Sequence, residues 1–206
     1  MTNLEFEAKF WLPALLGMRE QVLALGASLI TPRHLEQNLR FDTPDGTLTS
    51  QGDVLRLREA DVDTLTYKRS GERLEVRQEW EIEVNDLEVA RGLLEGLGYE
   101  AIHCYEKYRE VYKLDHCLVM LDEVPYSCFM EIEGPDLETI RSTARKLHMN
   151  WEARIQRTYL ELFEALRETM DPKPTDATFE VFSNYPSVDT KQLNLPNGNL
   201  PSGEEV

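Results

Sequence analysis

The chain has 206 residues, enough for one domain with a sizeable core, and its 41% apolar and 29% charged residues are those of a globular protein in water. A net charge of −16 argues against binding extended nucleic acid, which needs a basic face to release counterions. It leaves room for a small anion, provided cations are gathered in a cavity. No run approaches the roughly 20 apolar residues of a membrane span, and the opening residues Met1 to Glu7 lack the form of a signal peptide, so a cytoplasmic protein with no membrane partner is expected.

Taken in chain order, the first strand carries Glu5-x-Glu7-x-Lys9, and Pro13 to Leu25 reads as a helix with Gly26 just past its end. Extended chain leads to a strand over Gln37 to Asp42, a turn at Thr43 to Gly46, and strands over Val54 to Glu59 and Leu65 to Arg69. Ser70 to Glu72 break the chain before a strand over Leu74 to Val84. Asp86 is placed to cap a helix over Leu87 to Leu97, ended by Gly98. Lys107 to Lys113 and Cys117 to Asp122 pair as a hairpin, and Phe129 to Glu133 forms the next strand. Helices are expected over Asp136 to Met149, with Asn150 as its stop, and over Arg154 to Glu168.

From Asp171 the composition shifts to Pro172, Pro174, Pro186, Pro196 and Pro201 among Asn, Ser and Thr. Residues 1–170 are therefore read as the domain and 171–206 as a disordered tail, with local docking of Phe179, Val181 and Phe182 left open. Cys104, Cys117 and Cys128 lack the close spacing of zinc or redox pairs and read as reduced packing residues.

Glu5-x-Glu7, Glu79-x-Glu81-x-Glu83 and Glu131-x-Glu133 each alternate carboxylates with other residues, and residues two apart on a strand share a face. Arg56-x-Arg58, Thr66-x-Lys68 and Lys107-x-Arg109 repeat the rhythm with cations. An ordinary solvated strand face tends to mix signs, whereas here the signs segregate by strand. Carboxylates able to hold a divalent metal beside cations able to hold phosphate point to a site for a metal-bound polyphosphate. The strands are expected to form an α+β fold. It would be a mostly antiparallel, eight-stranded closed barrel with a polar interior and helices outside, the reverse of the usual barrel. Glu20, Glu36 and Glu59 are read as exposed, and Trp11, Trp80 and Trp151 as packing residues.

The ordered set Glu5-x-Glu7-x-Lys9, Asp42-Thr43-Pro44, Arg56-x-Arg58, Lys68, Glu81-x-Glu83, Lys107-x-Arg109, Asp122, Glu131-x-Glu133 and Arg157-Thr158-Tyr159 resembles the CYTH family, the triphosphate tunnel metalloenzymes. That family includes class IV adenylate cyclases, thiamine triphosphatases and tripolyphosphatases. The resemblance spans about residues 1–168 and implies an eight-stranded tunnel with charged side chains inside. It implies metal ligands at Glu5, Glu7, Asp122, Glu131 and Glu133, with Mg²⁺ or Mn²⁺ as cofactor. It also implies triphosphate contacts at Lys9, Arg56, Arg58, Lys68, Lys107, Arg109 and Arg157, and catalytic roles for Lys9, Glu81 and Glu83. Arg157-Thr158-Tyr159 stands where the family often has Lys-Ser-Tyr, and the Pro-rich tail has no counterpart in the family core.

The expected function is a metal-dependent enzyme acting on a small triphosphate, by cyclisation of ATP or by hydrolysis, since one cage of charges serves either reaction. The stretch Asp122 to Phe129 and the opening Leu4 to Glu7 resemble the class IV cyclase branch more than the tripolyphosphatase branch. A sensor that binds a nucleotide or polyphosphate without turnover is the alternative, and a plain interaction module with charged sheet faces is the third. A monomer and a homodimer are both compatible with the sequence.

Overall fold

In the computed structural model, which describes residues 4–196 apart from 74, 187, 189 and 194, eight antiparallel strands close into a ring. They are β1 (Leu4–Leu12), β2 (Ser28–Asp42), β3 (Val54–Glu59), β4 (Thr64–Arg73), β5 (Val76–Glu83), β6 (Glu100–Leu114), β7 (Cys117–Val124) and β8 (Ser127–Gly134). The order around the ring is β1-β5-β4-β3-β2-β6-β7-β8, and β8 pairs again with β1. Strands β1 and β8 therefore lie across the ring from β2 and β3.

Alternation explains which way each face turns. On β1, Ala8 and Phe10 point outward into a buried cluster with Val22, Ile132, Ile140 and Leu147. Helices α1 (Leu16–Ala24) and α4 (Leu137–Lys146) cover that face. On β2 and β3, Phe41, Leu55 and Leu57 point outward beneath Ala90 and Leu94 of α3 (Leu87–Gly96). The apolar core thus surrounds the barrel, and the intervening residues, mostly charged, are left to face one another inside. The expected inverted barrel is what the chain forms.

Local chemistry sets the helix ends. Asp86 accepts the Val89 amide at 3.0 Å and Asp136 the Thr139 amide at 2.7 Å, satisfying first-turn donors of α3 and α4. After α3 the chain turns through Gly98 at φ +92°, which a side chain would strain. The corresponding stop of α4 is His148 at φ +50°, not Asn150, which instead accepts the Glu152 amide in the following turn. At the Thr43 to Gly46 turn, Asp42 accepts the amides of Thr43, Leu48 and Thr49. These bonds organise a short helix, α2 (Thr47–Gln51), that the sequence reading did not anticipate.

Three further expectations require correction. Strand β4 continues through Ser70 to Glu72, where a break is expected, and ends at Arg73. Residues 154–158 are extended, because Ile155 donates its amide to the Lys9 carbonyl at 2.8 Å. Helix α5 (Tyr159–Arg167) begins only after Thr158, in a reciprocal cap with Glu161. Described residues just beyond Asp171 also have order. Strand β6 begins its pairing with β7 at Tyr108, so the backbone near Cys104 to Glu106 has a side not covered by β7. Ala177 fills it, donating to the Cys104 carbonyl and accepting from the Glu106 amide, both at 3.0 Å. Helix α6 (Phe179–Phe182) follows, and Phe182 packs against Tyr126 and Phe163. Residues 197–206 lie outside the described residues. Among the described residues no helix is long and apolar enough to cross a membrane.

Candidate functional site

The barrel encloses a cavity of about 260 Å³ whose wall draws side chains from all eight strands and from α5. Glu5, Glu7, Lys9, Arg56, Arg58, Lys68, Glu81, Lys107, Arg109, Glu131, Glu133 and Arg157 all reach it, as the sequence reading expects. Glu83 and Asp122 do not. Glu83 is exposed at the end of β5 beyond the enclosed space, and Asp122 is fully buried behind the wall.

Asp122 is part of a closed ion-pair network. Arg109 donates two parallel bonds to it, at 2.7 and 2.6 Å, Lys107 approaches to 3.0 Å, and the Tyr159 hydroxyl donates at 2.8 Å. Glu131 is bound to Arg109 and lies 3.2 Å from Lys9. Burial alone would raise the Glu131 carboxyl, but Lys9, Lys107 and Arg109 hold it well below the usual carboxylate range. Glu36, read from sequence as exposed, is only 2% exposed. It stands 3.5 Å from both Arg58 and Lys107, and these charges with Arg109 overcome burial to keep it ionised.

Other charges on the wall are only partly cancelled, one ammonium, Lys68, standing against Glu5, Glu7 and Glu79. Glu7 sits directly across the β1–β8 pair from Glu133, with Glu5 two residues along the same face. Burial, then the charges of Glu131 and Glu5, push the Glu7 carboxyl above its usual range. Glu133 is raised by burial and by Glu5 and Glu7. Glu5 is raised by burial despite Lys68, whose amine lies 2.6 Å from it. Lys68, for its part, is held protonated by Glu5, Glu7 and Glu79 against the cost of burial.

Across the ring, the excess is positive. Arg40 is lowered by burial and then, among its cationic neighbours, by Arg56 and Arg77. Arg58 is lowered by burial, Arg56 and Arg109. Among the described residues, the buried side-chain atoms without a hydrogen-bond partner concentrate here: Nε of Arg40, Arg56 and Arg58, and both polar atoms of the Asn38 amide. Buried polar atoms ordinarily have partners; the unpaired set on this wall joins three guanidinium donors to the acceptors Asn38 Oδ1 and Glu36 Oε2.

Glu81 accepts the Thr66 hydroxyl at 2.6 Å and faces Arg56 at 3.7 Å. Arg157 reaches the wall while donating to the Leu193 carbonyl at 3.2 Å. Sequence reading missed Arg40, Glu75, Arg77, Tyr105 and the inward placement of Tyr159. For two of these a signal was present, since Arg40 and Arg77 continue the alternation of Glu36-x-Asn38-x-Arg40 and Glu75-x-Arg77-x-Glu79.

No group of three or more His, Cys, Asp or Glu side chains stands in metal-ligand geometry among the described residues. The donor chemistry of Glu5, Glu7 and Glu133 nonetheless suits a hard divalent cation, because all are carboxylates and their negative charge is in excess. Asp122 and Glu131, by contrast, are already neutralised by Lys and Arg.

This inward-charged tunnel is the architecture of the CYTH domain, and the CYTH family model matches residues 3–159. The chain belongs to the CYTH family. Among its relatives, a protein of Methanocaldococcus jannaschii provisionally named an adenylate cyclase is 26% identical over 158 residues, covering 69% of this chain and 89% of that one. A Vibrio parahaemolyticus structure with the same provisional name superposes at a TM-score of 0.71 with 24% identity, covering 80% of this chain and all of the other. A Hippeastrum protein, provisionally an adenylyl cyclase and described as having a dominant triphosphatase activity, superposes at 0.54 with 23% identity over 68% of this chain and 84% of its own.

Proposed function

We propose that this protein is an enzyme that binds a metal-complexed triphosphate in its tunnel and processes the phosphoanhydride bond. One observation carries the reading: the crowded carboxylates of Glu7 and Glu133 on β1 and β8 face the crowded guanidiniums of Arg40 and Arg56 on β2 and β3 across a single cavity. A metal triphosphate presents both signs and meets both walls.

Arg40, Arg56, Arg58 and Arg77 neutralise and orient phosphate oxygens, with guanidinium forks able to form paired hydrogen bonds. Lys9, Lys68, Lys107 and Arg109 extend the cationic contact around the ring, and Arg157 adds one from the edge of α5. Glu5, Glu7 and Glu133 would hold Mg²⁺ or Mn²⁺, which supplies charge neutralisation and Lewis acidity. Glu81, oriented by Thr66, is the partly exposed carboxylate at the wall available to accept a proton from an attacking hydroxyl or water. Phosphoryl transfer depends mainly on such positioning and charge stabilisation.

Names among the relatives favour cyclisation of ATP and, for the Hippeastrum protein, hydrolysis. The deciding experiment offers ATP, thiamine triphosphate and inorganic tripolyphosphate to purified protein with Mg²⁺ or Mn²⁺ and follows phosphate, pyrophosphate and cyclic AMP. Cyclic AMP with pyrophosphate establishes a cyclase and phosphate release a triphosphatase. Tight metal-dependent binding without product establishes a sensor, and no binding overturns the reading.

A further inference from the structure

Several cations of the tunnel wall stand against carboxylates, as Lys9 does against Glu131, Lys68 against Glu5 and Arg109 against Asp122. Arg157 is held differently. Its side chain lines the cavity, and among the described residues its guanidinium bonds to a neutral group, the Leu193 carbonyl, at 3.2 Å. A carbonyl fixes a guanidinium without cancelling its charge, and the planar fork keeps other donors free. The carbonyl comes from 36 residues later in the chain, beyond the residues 3–159 that the family model matches.

The segment that delivers it is tied to the domain at separate points. Asp176 accepts the Cys104 amide and Glu106 accepts the Phe179 amide, both at 2.9 Å, on either side of the Ala177 pairing with β6. Phe182 is buried beside Tyr126 and Phe163. Leu193 is 3% exposed and shares an apolar cluster with Ile155 and Tyr159, which stand two residues to either side of Arg157. One cluster therefore orders both the backbone around Arg157 and the chain that meets its guanidinium. A free arginine side chain must be ordered when an anion binds, and one already held loses less entropy.

We propose that the docked C-terminal segment is a strap that positions Arg157 for the anion, so that chain beyond the family domain forms part of the tunnel site. The inference rests on the triphosphate reading of the tunnel and adds a positioning element to it. Leu193 is the positioning residue and acts through its backbone carbonyl, while Ala177 and Phe182 anchor the strap. Coupling of this kind is reciprocal: a seated strap strengthens anion binding, and a bound anion holds the strap seated by the same factor.

Tripolyphosphate with Mg²⁺ is the probe. Leu193→Ser removes the apolar anchor nearest Arg157, and Phe182→Ala loosens the strap at a distance from it; neither side chain lines the tunnel. Each is expected to raise the calorimetric Kd about tenfold in the full chain, and to change it by less than about twofold when Arg157 is already replaced in Arg157→Ala. A strap that only stabilises the fold would instead give effects that multiply with Arg157→Ala. In unsubstituted protein, saturating tripolyphosphate should slow hydrogen exchange at the Ala177 and Phe179 amides about tenfold, since their exchange reports local release of the strap. Unchanged affinity in both strap variants, multiplying effects in the cycle, or exchange at those amides unaltered by the ligand overturns the inference and leaves the tunnel reading standing. Wild-type protein that binds no tripolyphosphate ends both.

Discussion

The hydroxyl of Tyr159, on a helix outside the barrel, donates to Asp122 Oδ2 at 2.8 Å in the barrel wall. This bond, with those from Arg109 and Lys107, uses Asp122 as an internal counterion for the cationic strand β6. The sequence reading placed Asp122 among metal ligands. A carboxylate that is fully buried and bound by three partners has little capacity left for an ion. Asp122→Ala is expected to cost about 3–5 kcal/mol, because it takes a shared, hydrogen-bonded counterion from two buried cations and leaves Glu36 and Glu131 as their remaining partners. Tyr159→Phe should cost about 1.5–3 kcal/mol through loss of one charge-assisted bond. Thermal or urea unfolding measures both. A loss of metal affinity in Tyr159→Phe without a loss of stability would return Asp122 to the ligand set.

Glu7→Gln should have the opposite profile. The Glu7 carboxylate is half-buried beside Glu131 and Glu5, and its ionised form is held at a cost. Replacing it with an amide of the same shape removes that cost, so the metal-free variant should be as stable as wild type or more so. Metal affinity should fall by at least the roughly 10–100-fold typical of losing even an outer-shell partner. The melting-temperature gain on adding Mn²⁺ reads this directly. An undiminished gain would remove Glu7 from the metal site.

Much of this arrangement was legible because barrel closure enforces period two. Glu5-x-Glu7-x-Lys9 and Lys107-x-Arg109 face inward for the reason that Phe10 and Tyr112, in opposite phase, face the outer core. The failures have physical causes. The first half of β2 is mostly exposed and its register shifts twice between Leu29 and His34, so the inward alternation of Glu36, Asn38 and Arg40 begins only beyond it, and Glu36, at the start of that alternation, reads as exposed from the sequence. The order of the segment after Asp171 depends on an open stretch of β6 about 70 residues earlier in the chain, a relationship composition cannot express. The start of α5 was misplaced because residues 154–158 are held extended against β1 at Lys9. That displacement is also what brings Tyr159 to the tunnel.

Arg40 tests the proposed phosphate contact of this wall at a position no motif marks. Its Nε has no partner, and one guanidinium nitrogen donates to the Asp53 carbonyl at 3.2 Å. Arg40→Ala should weaken tripolyphosphate binding about 10–100-fold, the equivalent of one charge-assisted hydrogen bond. Like-charge crowding with Arg56 and Arg77 is relieved, so lost packing should be partly offset in stability. Calorimetric Kd values against wild type decide it, and a change below about twofold would place the phosphates elsewhere in the tunnel.

The two classes of carboxylate predict opposite pH effects on stability. Glu5, Glu7 and Glu133 are raised above their unfolded values, so the folded state binds more protons through that window. Their contribution is fully present below the unfolded carboxylate range and is lost as pH rises through the raised values. Glu36 and Glu131 are depressed; their contribution is present above the unfolded range and is lost as pH falls through the depressed values. Metal-free protein should therefore gain melting temperature as pH is lowered toward the ordinary carboxylate range and lose it on further acidification through the depressed values. Added Mg²⁺ competes with protons for the raised group, so its stabilising shift should grow with pH over the same interval. Differential scanning calorimetry with and without Mg²⁺ measures both trends. A Mg²⁺ shift that shrinks as pH rises would show the ion bound somewhere other than Glu5, Glu7 and Glu133.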